Sequence, residues 1–272
     1  MNKSYASLLV FHGSRNKERY LANAVWLNNL VQKKLWQRDS VNLDMSQISH
    51  KTTAQTETST IYEVSSQRPL DLVEVALLEF AEVELSQQII NFSQKAIAQN
   101  YQQIAVIPVF LSAGVHVTED IPSAVAEAQQ HLGDSINIKL EDYIGSSSEL
   151  ITLIDRQFAR FHGEQKILLA HGSRLPQGNV ATEQLGKKLD AIVAYWTIQP
   201  DLTSIVESLV NQGVSSITIV PYFLFPGRIT KAIASLVNEL QHKFPQIQIQ
   251  YGEPLGATPE LARAIANNIS RD

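Results

Sequence analysis

The 272-residue chain has a formal net charge of −5, is 44% hydrophobic and 18% charged, and contains no cysteine. That balance is globular rather than disordered. It argues against a nucleic-acid binder, which needs a basic stripe, and it excludes disulfides, iron–sulfur clusters and thiolate zinc sites. The longest apolar stretches are far too short for a membrane span, and "LLVF" near the start is too short for a signal-peptide core, so the cytoplasm is the expected compartment.

Ala6–Phe11 is a short continuous apolar run and reads as a buried strand. Arg19–Trp36 has helical spacing. Gln37–Leu70 is rich in Ser, Thr and Gln, lacks a steady period, and reads as a long insertion. Val73–Leu78 reads as a strand, Ser86–Asn100 as a helix and Ile104–Leu111 as a second buried strand. Ile121–Leu132 reads as a helix with Asp120 as its N-cap and Pro122 in its first turn. Ile136–Asp142 alternates and reads as a strand.

The second part of the chain repeats the order. Lys166–Ala170 reads as a strand and Ala181–Trp196 as largely helical. Asp201–Gly213 reads as a helix, Ile217–Phe225 as a strand, Ile229–Phe244 as a helix and Ile247–Leu255 as a strand. "HGSR" occurs at His12 and again at His171, and "IPVFLSAG" from Ile107 matches "VPYFLFPG" from Val220. The expected architecture is α/β: two similar domains, 1–146 and 147–272, each a parallel sheet flanked by helices.

Ligands of open α/β sheets bind at the carboxyl ends of the strands. His12, His171 and His116 all follow such ends, and Glu79 follows "VEVALL". Residue types alone leave two readings open. "HGSR" can be a tight turn, with Gly13 for backbone freedom and Ser14 as a helix cap. Alternatively His12, His116 and Glu79 converge, and two imidazoles with one carboxylate suit Fe2+, Co2+ or Ni2+. The second half keeps His171 but has no counterpart of His116 or Glu79. It is therefore expected to serve as structure or as a wall for substrate. A serine hydrolase is disfavoured because no G-x-S-x-G elbow is present.

Taken together, "LLVFHGSR", "ALLEFAE", "FLSAGVHVTEDIP" and "VPYFLFPG" resemble the sirohydrochlorin chelatases of the class II group, in their long two-domain form. The resemblance implies that the two domains face each other across a cleft, and that the chain inserts Fe2+ or Co2+ into sirohydrochlorin without ATP, for siroheme or, second, cobalamin synthesis. It implies no permanently bound cofactor: the metal is a substrate. His12, His116 and Glu79 would be the catalytic, metal-handling set. Arg15, Ser14, Ser112, Gly114 and Arg174, with Lys17, are the candidates for binding the anionic tetrapyrrole, and Arg228 and Lys231 are weaker ones. A nickel chelatase, or a non-catalytic metal or tetrapyrrole carrier, is the alternative. The internal duplication can stand in for a dimer of half-length chains, so a monomer is expected.

Overall fold

The computed structural model describes residues 6–44 and 72–269, with backbone alone for 38–44 and Pro176. Most of the expected insertion therefore lies outside the described residues. Its expected start is corrected, because α1 runs over Lys17–Asp44 and passes Gln37.

The first half continues with β1 (Ala6–Phe11), β2 (Leu72–Leu77), α2 (Leu85–Ala98), β3 (Gln103–Pro108), α3 (Ile121–Leu132), β4 (Asn137–Leu140) and α4 (Ser148–Phe158). The second half is β5 (Gln165–Ala170), α5 (Val180–Lys188), β6 (Ile192–Tyr195), α6 (Leu202–Asn211), β7 (Ser216–Pro221), α7 (Arg228–Lys243), β8 (Gln248–Tyr251) and α8 (Pro259–Asn268). The strands form two four-stranded sheets of order β2-β1-β3-β4 and β6-β5-β7-β8, every pair parallel.

β1 is buried at all six positions because it lies between β2 and β3 with both sheet faces covered. That is why its sequence is a continuous apolar run rather than an alternating one. Leu9 and Phe11 point to one side, into a core shared by the two halves. Leu8 and Val10 point to the other, onto Ile89, Phe92 and Val125 of α2 and α3. β5 repeats this, with Leu168 and Ala170 in the shared core and Ile167 and Leu169 toward α6 and α7. Truncating any such leucine to alanine costs about 2–5 kcal/mol.

The shared core joins the halves. α8 packs along α1, while α4 packs on β7 and α8, so each half lends its last helix to the other. Asn268 Nδ2 donates to the Asp142 carbonyl at 2.7 Å and Asn267 Nδ2 to Glu149 Oε1 at 2.7 Å. Tyr222 Oη donates to the Leu111 carbonyl at 3.1 Å, and the Phe225 ring stacks on Phe11 at 5.9 Å. The first of these last two contacts fastens the loop after β3 to the second half, and the second does so for the end of β1.

Two further expectations differ from the structure. The stretch 181–196 is not one helix: α5 stops at Lys188 and Ile192–Tyr195 is a strand beside β5. The turn between them contains neither Gly nor Pro, so the apolar pattern runs on without a visible break; Asp190 makes the reversal with a positive φ of 52°. Asp120 does not cap α3: it has helical φ and ψ, and its side chain makes no cap bond.

Candidate functional site

β1 and β2 connect on one side of the sheet, and the chain then crosses to β3 on the other side of β1. The order therefore reverses between β1 and β3, and the crevice at their carboxyl ends is where such sheets hold ligands. His12 follows β1 directly and His116 lies in the loop after β3.

The β1–β2 ladder outlasts both strands. Leu78 N–H reaches the Phe11 carbonyl at 2.8 Å and Glu79 N–H reaches the His12 carbonyl at 2.9 Å. That fixes Glu79 beside His12. Position 13 must be glycine for two reasons: φ is +92°, and a Cβ there would sit 2.1 Å from the Glu79 carbonyl oxygen. The tight-turn reading and the convergence reading therefore hold together, since the turn is what brings the carboxylate in.

His12 Nδ1 is 4.0 Å from Glu79 Oε2, and His116 Nε2 is 4.0 Å from Glu79 Oε1. The two imidazole rings meet edge to face at 4.9 Å between centroids. Phe110 lies under both, 6.2 Å from His12 and 6.3 Å from His116. One donor atom from each of His12, Glu79 and His116 lies within 4.8 Å of the others. Donors sharing a divalent ion at about 2.1 Å lie roughly 3–3.5 Å apart, so side-chain movements of about an ångström close the set. The three side chains are 44%, 42% and 35% exposed, open enough for a metal to arrive and leave.

His12 Nδ1 faces the Gly13 carbonyl at 3.2 Å. A carbonyl only accepts, so Nδ1 is the donor in this contact. Asp120 was not among the expected site residues; its Oδ2 lies 2.6 Å from His116 Nδ1. The only trace of it in the sequence is an acid four residues after a histidine. Tyr20 sits beneath the His12–Gly13 turn. Burial pushes its phenol up to about 12, against the backbone N–H groups of Gly13 and His12, which lower it.

Of the anion-binding candidates, Arg15, Ser112 and Arg174 are exposed on the loops that follow β1, β3 and β5. Ser14 Oγ accepts the Asn16 N–H at 3.3 Å, a turn contact ahead of α1. Gly114 has open space where a Cβ would stand, and its carbonyl accepts Val117 N–H at 2.9 Å. Lys17 Nζ is paired with Glu82 at 3.2 Å, which offsets its charge. Arg228 and Lys231 are exposed at the start of α7.

In the second half Thr197 N–H reaches the His171 carbonyl at 3.0 Å, so Thr197 occupies the register of Glu79. Its hydroxyl donates back to the same carbonyl at 2.9 Å. Ile229 stands at the position matching His116. His171 holds a lowered pKa through desolvation and then the charge of His12, so it lies within electrostatic reach of the first-half group. Among the described residues His12, Glu79 and His116 form the group of metal-ligating type, and no helix is long and apolar enough to cross a membrane.

The chain is similar to a sirohydrochlorin cobaltochelatase of Priestia megaterium, 24% identical over 70% of this chain; the match spans 66% of that relative's length. A sirohydrochlorin ferrochelatase of Bacillus subtilis is 22% identical over 72% of this chain and 79% of its own. The solved structure of SirB from Bacillus subtilis with Fe3+ superposes with a TM-score of 0.71 at 20% identity, over 97% of this chain and 94% of that one, which establishes the two-domain α/β fold. The CbiX family model matches twice, over residues 48–161 and 165–272. The first match begins beyond β1 and the His12 turn and runs through α4, the second takes in β5 to α8; together they cover most of the chain, and the chain belongs to the CbiX family.

Proposed function

We propose that the protein is a sirohydrochlorin chelatase that inserts Fe2+ or Co2+ into the tetrapyrrole, with His12, Glu79 and His116 as the metal-handling and proton-accepting set. The observation that carries the reading is the convergence of two imidazoles and one carboxylate at the switch-point crevice of a CbiX-family chain. The relatives' names, one for cobalt and one for iron, support the substrate and leave both metals in play. Siroheme iron is the first choice and cobalt the second. Imidazole and carboxylate accept both ions, and availability decides between them.

The reaction exchanges one M2+ for two pyrrole N–H protons. One ring nitrogen each from His12 and His116 replaces water on the incoming ion. The Glu79 carboxylate lowers the local charge as the ion enters. As the pyrrole nitrogens take over the metal, the imidazoles are released, and with Glu79 they are the groups placed to receive the two protons. No ATP is required, because metallation of the macrocycle itself drives the exchange. Arg15, Arg174, Ser14, Ser112 and Gly114 are proposed to dock the carboxylate-rich rim of the substrate. The second half is proposed to supply the opposing wall, and a single chain to be the working unit; a division at 146/147 groups α4 with the second half, on whose β7 it packs, although in chain order it follows the first sheet.

The test is an anaerobic absorbance assay with sirohydrochlorin and Fe2+ or Co2+. Wild type should accelerate metallation over many turnovers, and His116→Ala should not exceed background. Stoichiometric uptake without turnover would instead identify a carrier, and acceleration with Ni2+ alone a nickel chelatase.

A further inference from the structure

We propose that Asp120 is a positioning residue: its carboxylate holds the Nδ1–H of His116 and so points the Nε2 lone pair at Glu79 and the incoming metal. The proposal rests on the assignment of His12, Glu79 and His116 as the metal-handling set.

An ionised carboxylate only accepts hydrogen bonds. At 2.6 Å the contact is at the short end for a charge-assisted bond. Nδ1 of His116 therefore carries the proton. The other ring nitrogen is the one facing Glu79 Oε1. A metal-ligating histidine needs this arrangement, with one nitrogen tied to an acceptor and the other bare. For His12 the Gly13 carbonyl supplies the acceptor; His116 has Asp120.

The backbone around His116 is built for the contact. His116–Asp120 is a π-helical turn, closed by the Ile121 N–H on the His116 carbonyl. Wide turns of this kind are rare and concentrate at functional sites. Asp120 is not needed as a cap, because α3 continues directly from that turn and the carboxylate makes no cap bond. The second half offers an internal control. There α7 starts directly at Arg228 behind Gly227, whose N–H donates to Thr230 Oγ1 at 2.8 Å. Continuing the match from Gly114 and Gly227, His116 becomes Ile229 and Asp120 becomes Ile233, a fully buried core residue. Histidine and aspartate are present together in one half and absent together in the other.

The experiment measures the tautomer first. Imidazole 15N shifts of the wild-type protein should show His116 protonated on Nδ1; protonation on Nε2 would overturn the proposal without any variant. Next, Co2+ alone is titrated into wild type, Asp120→Asn and Asp120→Ala, each first checked for an unchanged melting temperature. Asp120→Ala should weaken Co2+ binding about 10–100-fold and mix the tautomers. Asp120→Asn should keep the tautomer and most of the affinity, since the amide oxygen still accepts. Equal loss in both variants would make Asp120 a direct ligand, and no loss in Asp120→Ala would make it a surface pair; either result sinks the idea. If wild type fails to metallate sirohydrochlorin while the tautomer and Co2+ results hold, the chelatase reading falls and the positioning role stands.

Discussion

His12 and His171 leave β1 and β5 through the same glycine turn, with φ of +92° at Gly13 and +86° at Gly172. The next strand's ladder is carried past both in the same register. Both rings stand near a phenylalanine that follows the third strand of the half, Phe110 or Phe223. The difference lies in what the turn delivers. In the first half it brings in Glu79, and the π-turn adds His116. In the second half it brings in Thr197, whose hydroxyl closes back on the turn's own carbonyls. The fold therefore requires the glycine and the register, and it is indifferent to the carboxylate and the second imidazole. Side chains that the fold does not need, yet which converge, are where function is written.

The comparison breaks most directly at the imidazoles. His116→Ala and His12→Ala should each reduce metallation by about 10²–10⁴-fold, the range for losing a positioned proton-transfer group. Melting temperatures should hardly move, because both side chains are partly exposed. Loss of activity accompanied by unfolding would mean that the first-half loops are structural after all.

A second contrast concerns the two turn glycines. Gly13→Ala puts a Cβ against the backbone oxygen of Glu79 at 2.1 Å; Gly172→Ala meets Ile198 Cγ1 at 2.8 Å and Tyr195 Cβ at 3.0 Å. Both carry the left-handed cost of about 1–2 kcal/mol. Only Gly13 must also displace backbone. Urea denaturation should rank Gly13→Ala as the more damaging, at about 2 kcal/mol or more. Metal binding should fall with it, since Glu79 is displaced. Equal costs at the two sites would mean that the Glu79 carbonyl gives way easily.

How much of this could be read from the sequence follows from which interactions leave a local pattern. The central strands β1, β3, β5 and β7 were legible because burial on both faces writes a continuous apolar run. The paired "HGSR" turns were legible because each sits at the end of such a run. Glu79 was legible as a strand-end acid. The break between α5 and β6 was not, because Asp190 makes the turn without Gly or Pro. The role of Asp120 was not, because an acid ahead of Ile-Pro looks like a cap, and its partner depends on a π-turn that no simple period encodes. The exchange of α4 and α8 between halves was not, because apolar faces show that a helix packs, not on which sheet.

The smallest expected effect concerns His171. It lies within electrostatic reach of His12, yet it lacks a carboxylate and a second imidazole, so His171→Ala should keep most of the metallation rate. Equal loss with His12→Ala would move the site onto both halves. Stability gives an independent reading. Desolvation and the charge of His12 lower the folded pKa of His171 from 6.5. The unfolded chain then binds the proton more readily. As pH falls through 6.5 the unfolded state gains protons first, and the stability contributed by neutral His171 is lost. Urea midpoints at pH 8 and pH 5 should therefore fall further apart for wild type than for His171→Gln. Because the residue remains exposed, solvent screens much of the effect and the difference should be small. Identical pH dependence in the two proteins would mean that the His171 imidazole is solvated in the folded state, and the second half would then be a wall that does not sense the charge at His12.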